Sequence, residues 1–157
     1  MKRTMIFVST LMLVTLLLTS CSGPFGPIAG GKLQGPSADV PPSWDAVGAV
    51  EHVQLETINE GKPRSVLIWV ATDNGSLYIA TSLISGASSP ADRTWVKNVT
   101  ANPNIRLGVG GVIYQLQALR VVDPARLAEA RAAMMSKYDV ESDGQSTSAW
   151  LYELRRR

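Results

Sequence analysis

The chain is poor in the residues that carry most enzyme chemistry. It has one cysteine, Cys21, so no disulfide can form within it. It has one histidine, His52, which lies in an expected strand away from any G-x-S-x-G elbow, so a Ser-His-Asp site is not supported. There is no H-E-x-x-H run and no cysteine pair, so a His/Cys metal site is not supported. The carboxylates are scattered, without a pair at helical spacing. Gly108-Val-Gly-Gly111 lacks the G-x-G-x-x-G spacing and precedes a strand, so a Rossmann phosphate loop is not supported. Excess charge is missing too. Without Lys2 and Arg3, 13 Lys/Arg face 13 Asp/Glu, and nothing steers the remaining chain to nucleic acid. Arg155 to Arg157 are the one basic run, expected as a solvated tail. Aromatics make up 6% of residues.

The longest apolar run is also too short to span a bilayer. Met5 to Leu18 is about 14 residues, against the roughly 20 that a helix needs. With Lys2-Arg3 before it and small residues after it, Met1 to Ser20 reads as a secretory signal. Leu18-Thr19-Ser20-Cys21 resembles the lipobox of bacterial lipoproteins, in which Cys21 is lipidated and begins the mature chain. That resemblance implies a lipid anchor in the cell envelope. Ser22 after the cysteine favours the outer membrane, with the domain facing the periplasm.

Ser22 to Pro42 holds five Gly and five Pro, and residues 21–46 are expected to be a tether. Within it, Ile28 to Gly35 reads either as plain linker or as a turn packed on the domain edge.

The domain is expected over residues 47–157. Val47 to Ile58 alternates as a half-buried strand, with Val53, Leu55 and Thr57 inward and His52, Gln54 and Glu56 outward. Arg64 to Thr72 is expected to be a strand, and its almost continuously apolar part, Val66 to Ala71, is expected to be covered on both faces. Asp73-Asn-Gly75 is a hairpin turn leading into Ser76 to Ser82. Ser89-Pro90-Ala-Asp92 starts a helix that runs to about Ala101, with Asp92 closing a capping box. Asn104 to Val109 and Val112 to Val122 are strands around a glycine corner. Asp123-Pro124 opens a second helix to about Tyr138, with Leu127, Ala130, Met134 and Tyr138 as its apolar stripe. Asp139 to Thr147 is loop, and Ala149 to Leu154 is a last strand. Six strands joined mostly as hairpins, with two helices outside, predict an antiparallel split or closed β-barrel of the α+β class.

Around the first helix, Arg93, Trp95, Lys97 and Asn98 lie within two turns, and Arg93 and Lys97 share a face. Thr81 and Ser82 precede them. Cations, hydroxyls and an indole at this spacing can hold a phosphate and stack on a flat ring. A solvated basic face over a core Trp95 is the alternative.

Lys62-Pro-Arg-Ser-Val-Leu-Ile-Trp-Val70, Leu77-Tyr-Ile-Ala-Thr81, Trp95-Val-Lys-Asn-Val-Thr-Ala-Asn-Pro103, Ile105-Arg-Leu-Gly-Val-Gly-Gly111 and Ser136-Lys-Tyr138 together resemble the pyridoxamine 5'-phosphate oxidase-like, FMN-binding split β-barrel superfamily. The nearest branches are the deazaflavin-dependent nitroreductase-like proteins and related uncharacterised families. The resemblance implies a six-stranded split barrel, commonly a homodimer, with FMN or a deazaflavin bound. It makes Trp69, Thr81, Ser82, Arg93, Trp95, Lys97 and Asn98 cofactor candidates and singles out no catalytic acid, base or nucleophile. Gly61-Lys-Pro-Arg-Ser65 stands where that branch carries a more basic, Gly-rich segment. Three functions remain open: a flavin- or deazaflavin-dependent oxidoreductase, a non-catalytic module for haem or another planar ligand, and a structural or interaction lipoprotein. Haem would need His52, a tyrosine or a methionine as axial ligand.

Overall fold

The computed structural model describes residues 23–81, 89–138 and 149–157. The leader, Cys21, Ser82 and the expected loop after Tyr138 lie outside these residues.

Six strands form the body: β1 (His52–Asn59), β2 (Lys62–Asp73), β3 (Ser76–Ala80), β4 (Asn104–Val109), β5 (Val112–Arg120) and β6 (Leu151–Arg156). All pair antiparallel, in the order β1-β2-β3-β6-β5-β4. β1 also pairs with β4, which closes the barrel and leaves no open edge. The mainly β barrel with two helices expected from the sequence is the observed fold.

Turn chemistry sets the first hairpins. Asn74 and Gly75 adopt φ of 46° and 76°, the left-handed pair that a two-residue hairpin needs. Alternation then fills the barrel. Val53, Leu55, Val70, Leu77, Ile79, Leu107 and Leu116 point inward and are at most 1% exposed. Each such aliphatic side chain stabilises the fold by about 1.5–3 kcal/mol.

Two α-helices complete the fold of the described residues. The first was expected to run unbroken from Pro90, but Arg93 has an extended ψ of 128° and divides it. Ser89 accepts the Ala91 N–H and starts a 3-10 turn over Pro90–Asp92, and α1 (Thr94–Ala101) follows. It stops before Asn102-Pro103, because the residue ahead of a proline disfavours the helical region. α1 inserts Trp95, Val96 and Val99 into the barrel core. α2 (Pro124–Tyr138) is capped by Asp123, whose Oδ1 accepts the Arg126 N–H at 2.9 Å. Its Ala130 and Met134 cover the outer face of the sheet at Ala71, Tyr78, Ala80 and Leu151. Tyr138 stacks on Trp69 at 4.9 Å, and its hydroxyl accepts the Val70 N–H and donates to the Glu51 carbonyl.

Several local expectations change. β1 begins at His52, and Val47 belongs to a 3-10 turn over Asp45–Val47. β2 is not covered on both faces along its length, since Leu67 is 37% exposed. Glu56 faces outward but is 3% exposed, because chain from the expected tether lies over it. Gly30 and Ser65 exchange two backbone hydrogen bonds of 2.9 Å, Leu33 is buried, and the Ala38 N–H donates to the Ile113 carbonyl. Residues 30–38 therefore form a strap across β2, β1, β4 and β5. The C-terminal arginines are exposed, as expected, but Arg155 and Arg156 lie in β6 and all three are held by hydrogen bonds. Arg155 pairs with Glu153, Arg156 donates to the Val40 carbonyl, and Arg157 donates to the carbonyls of Ile105 and Leu116.

Candidate functional site

Closing the barrel separates the residues that the sequence grouped. Asn98 is 7% exposed, and its Nδ2 donates to Thr57 Oγ1 at 2.8 Å, which ties α1 to β1. Trp95 is buried and meets Tyr152 edge-on at 5.2 Å. Trp69 lies under Tyr138 on another face. Thr81 is 2% exposed; its N–H donates to the Trp150 carbonyl and its Oγ1 accepts the Trp150 N–H at 2.8 Å. Arg93 is the half-buried residue just ahead of α1. Ser82 lies outside the described residues.

Lys97 is exposed on a groove of about 710 Å³ between α1 and the β5–β6 edge. Thr100 of the same helix lines it too, and its other functional side chains come from elsewhere: Arg120 of β5, and Trp150 and Tyr152 at β6. Arg120 and Tyr152 are partners across the sheet, which brings the arginine beside the indole. The Arg120 guanidinium carbon sits 3.5 Å from the centre of the Trp150 ring. Thr81 holds the backbone that carries this indole, so it acts on the groove through Trp150. Burial pushes the Tyr152 phenol above its usual value, and the charge of Arg120 offsets part of that rise. Two cations, a hydroxyl and an aromatic face make the groove suited to an anionic ligand with a flat ring. Arg120 and Trp150 were not singled out from the sequence. The only signals for them were an arginine ending an apolar alternation and a tryptophan beside a small-residue loop.

A second groove of about 700 Å³ runs along α2 and is lined by Asp73, Glu129 and Lys137 among others. Burial lowers the Lys137 amine, with Glu51 opposing, and its Nζ donates to the carbonyls of Val50 and Val70. That lysine is spent on fastening α2 to the barrel, and the acids beside it disfavour an anion. His52 is on the surface, 3.6 Å from Glu51, away from both groove linings. Among the described residues no three His, Cys, Asp or Glu come together as a metal site.

Beside the first groove, Glu153 accepts hydrogen bonds from Arg126 at 2.9 Å and Arg155 at 2.7 Å. Burial raises its carboxyl, but the two arginines outweigh burial and hold it below its ordinary value of 4.5. A carboxyl lowered on folding stabilises the fold above its unfolded value, and this is lost as pH falls through the folded one. Glu153→Gln should therefore flatten the fall of Tm below about pH 4.5 and leave its trend between pH 6 and 8 unchanged. An unchanged acid limb would show that the two arginines do not stabilise the carboxylate.

The model of the F420H(2)-dependent quinone reductase family matches residues 48–149, from ahead of β1 through α2. No curated protein matches the chain significantly. Among solved structures it is similar to a conserved hypothetical protein from Mycobacterium tuberculosis, with a TM-score of 0.55 and 18% identity over 79% of this chain and 87% of the other. It is also similar to an FAD-binding protein from Mesorhizobium loti, with a TM-score of 0.52 and 15% identity over 72% and 86%. A haem storage protein from Vibrio cholerae gives a TM-score of 0.53 and 16% identity over 69% and 83%. Identities this low show a common fold and no more. The family model covers five of the six strands and both helices, in the branch of split barrels that the sequence motifs resemble, and the chain belongs to the F420H(2)-dependent quinone reductase family.

Proposed function

We propose that this protein is a deazaflavin- or flavin-dependent oxidoreductase, held at the cell envelope by a lipid on Cys21, with its cofactor in the groove between α1 and the β5–β6 edge. The observation that carries the reading is the meeting of Lys97, Arg120 and Trp150 in one groove of a chain from this family. Its volume of about 710 Å³ lies within the usual 300–1,000 Å³ of small-molecule sites. The residues fit the group: Lys97 and Arg120 pair with its phosphate, and Trp150 offers an indole to its ring. Such a cofactor supplies hydride or electron transfer when bound. The protein's part is to orient the ring, to neutralise the phosphate and to keep water from the groove's apolar wall. Homodimerisation, common in the superfamily the sequence resembles, completes the proposal.

The test is a titration of the purified protein with deazaflavin F420, with flavin mononucleotide and with haem, each followed by absorbance and fluorescence. A charge-assisted hydrogen bond is worth about 1.5–3 kcal/mol, so Lys97→Ala and Arg120→Ala should each weaken binding about 10- to 100-fold. Saturation by haem alone would move the protein to the ligand-binding alternative. No saturation by any of the three would remove the cofactor reading.

A further inference from the structure

At the start of the described chain, residues 23–30 form a closed knuckle on the barrel surface. The backbones of Phe25 and Ile28 exchange hydrogen bonds of 3.0 and 2.9 Å around Gly26-Pro27. Gly26 takes the turn at a φ of 53°. The base is closed by contact: a Cβ on Gly30 would stand 2.4 Å from the Gly23 carbonyl carbon, so a glycine is required there. The Gly30–Ser65 hydrogen bonds, with Ser65 Oγ donating to the Gly31 carbonyl at 2.8 Å, fasten that base to β2.

The tip does the reverse of what a packed turn does. Phe25 is 79% exposed and Ile28 is 66% exposed, among the most exposed large apolar side chains in the described chain. A single exposed leucine or phenylalanine needs no explanation. Two at the tip of one hydrogen-bonded turn make a small apolar surface whose geometry is set before anything covers it.

What lies near the tip follows from chain length. Phe25 lies four residues along the chain from Cys21, a reach of at most about 14 Å in extended chain. A lipid on Cys21 brings the bilayer surface within that reach. The several acyl chains of a lipoprotein cysteine anchor stably by themselves, and apolar side chains held beside them add buried apolar area at the interface. We infer that the knuckle is a lipid-surface contact, with Phe25 and Ile28 lying in the interfacial layer of the membrane that carries the anchor. Because the knuckle is hydrogen-bonded to β2, the contact also orients the barrel on the membrane. The inference rests on the lipid-anchor reading above and is independent of the cofactor.

The test uses the full lipidated chain, reconstituted into phosphatidylcholine–phosphatidylglycerol vesicles. An environment-sensitive fluorophore is attached at Pro27→Cys, between the two side chains, or at Asn74→Cys as reference. Asn74 follows the end of β2, about 30 Å of strand beyond Ser65. Mass spectrometry of the same preparation establishes whether Cys21 carries acyl groups. Emission from position 27 should shift to the blue on reconstitution and be quenched by lipids spin-labelled near the headgroup. Emission from position 74 should do neither. Phe25→Ser/Ile28→Ser should return the probe at position 27 to water-like emission. With acylation established, a water-like probe at position 27 would overturn the inference and leave the anchor standing. A blue shift that survives the double serine change would also overturn it, because the lipid alone would then hold the probe. Absence of acyl groups would remove the anchor reading and this inference with it.

Discussion

Replacing Arg106 with methionine should lower the unfolding free energy by about 3–5 kcal/mol, the usual result of stranding one member of a buried ion pair. The Glu56 side chain is 4% exposed and that of Arg106 is 23% exposed. One guanidinium nitrogen reaches both Glu56 oxygens, at 2.9 and 2.7 Å. The same carboxylate accepts the Leu33 N–H at 2.6 Å, and Arg106 Nη2 donates to the Leu33 carbonyl at 3.2 Å. Methionine fills similar space but leaves a carboxylate without its cation and a strap carbonyl without its donor. The Glu56→Gln/Arg106→Met double variant removes the charge and keeps an acceptor for Leu33, so it should recover most of the loss. Denaturant unfolding of the two variants beside the parent measures both. A single-variant loss below about 1 kcal/mol would place the pair with exposed ion pairs and free the strap from dependence on it.

Alanine at Trp95 and alanine at Trp150 should give opposite outcomes. Trp95 is 8% exposed, packed among Val96, Val99 and Ile105 and edge-on to Tyr152. Truncating it opens a cavity in the barrel core, at a cost of about 3–5 kcal/mol. Trp150 is half-buried and meets Arg120 through one ring face. Its truncation removes a partly solvated cation–π contact of about 0.5–1 kcal/mol, and the barrel should stay folded. Binding should divide the other way. Loss of a ring contact of about 0.5–1.5 kcal/mol predicts two- to tenfold weaker cofactor binding for Trp150→Ala. Thermal melts and the flavin titration run together separate the two roles. Unchanged affinity in Trp150→Ala would take the groove out of the proposed function.

Local signals carried most of the fold. Alternation in Val53-Gln-Leu-Glu-Thr57, the Asp73-Asn-Gly75 turn, the stop at Asn102-Pro103 and the Asp123-Pro124 helix start each act within a few residues, and each element stands close to where they put it. The Trp95 to Pro103 motif likewise led to the family. The site was harder to see. Lys97 was legible as an exposed cation on α1, whereas its partners Arg120 and Trp150 come from the end of β5 and the start of β6, which only the sheet register sets side by side. Thr81 and Asn98 look like ligand contacts when their neighbours in sequence are all one has. In the barrel their polar atoms meet Trp150 and Thr57, 69 and 41 residues away.

The sequence by itself determined the strands, the helices, the hairpin turns and the kinship, because periodicity and turn geometry are properties of a few adjacent residues. The tertiary structure alone decided which polar groups fasten the fold and which face the groove. Glu56 became a buried clasp through Leu33 and Arg106, 23 and 50 residues away, and a Gly- and Pro-rich stretch became a strap because its backbone found partners on β1, β2 and β5. A hydrogen bond or ion pair between distant residues leaves no local pattern to read, and closure of the barrel is what selects its two ends.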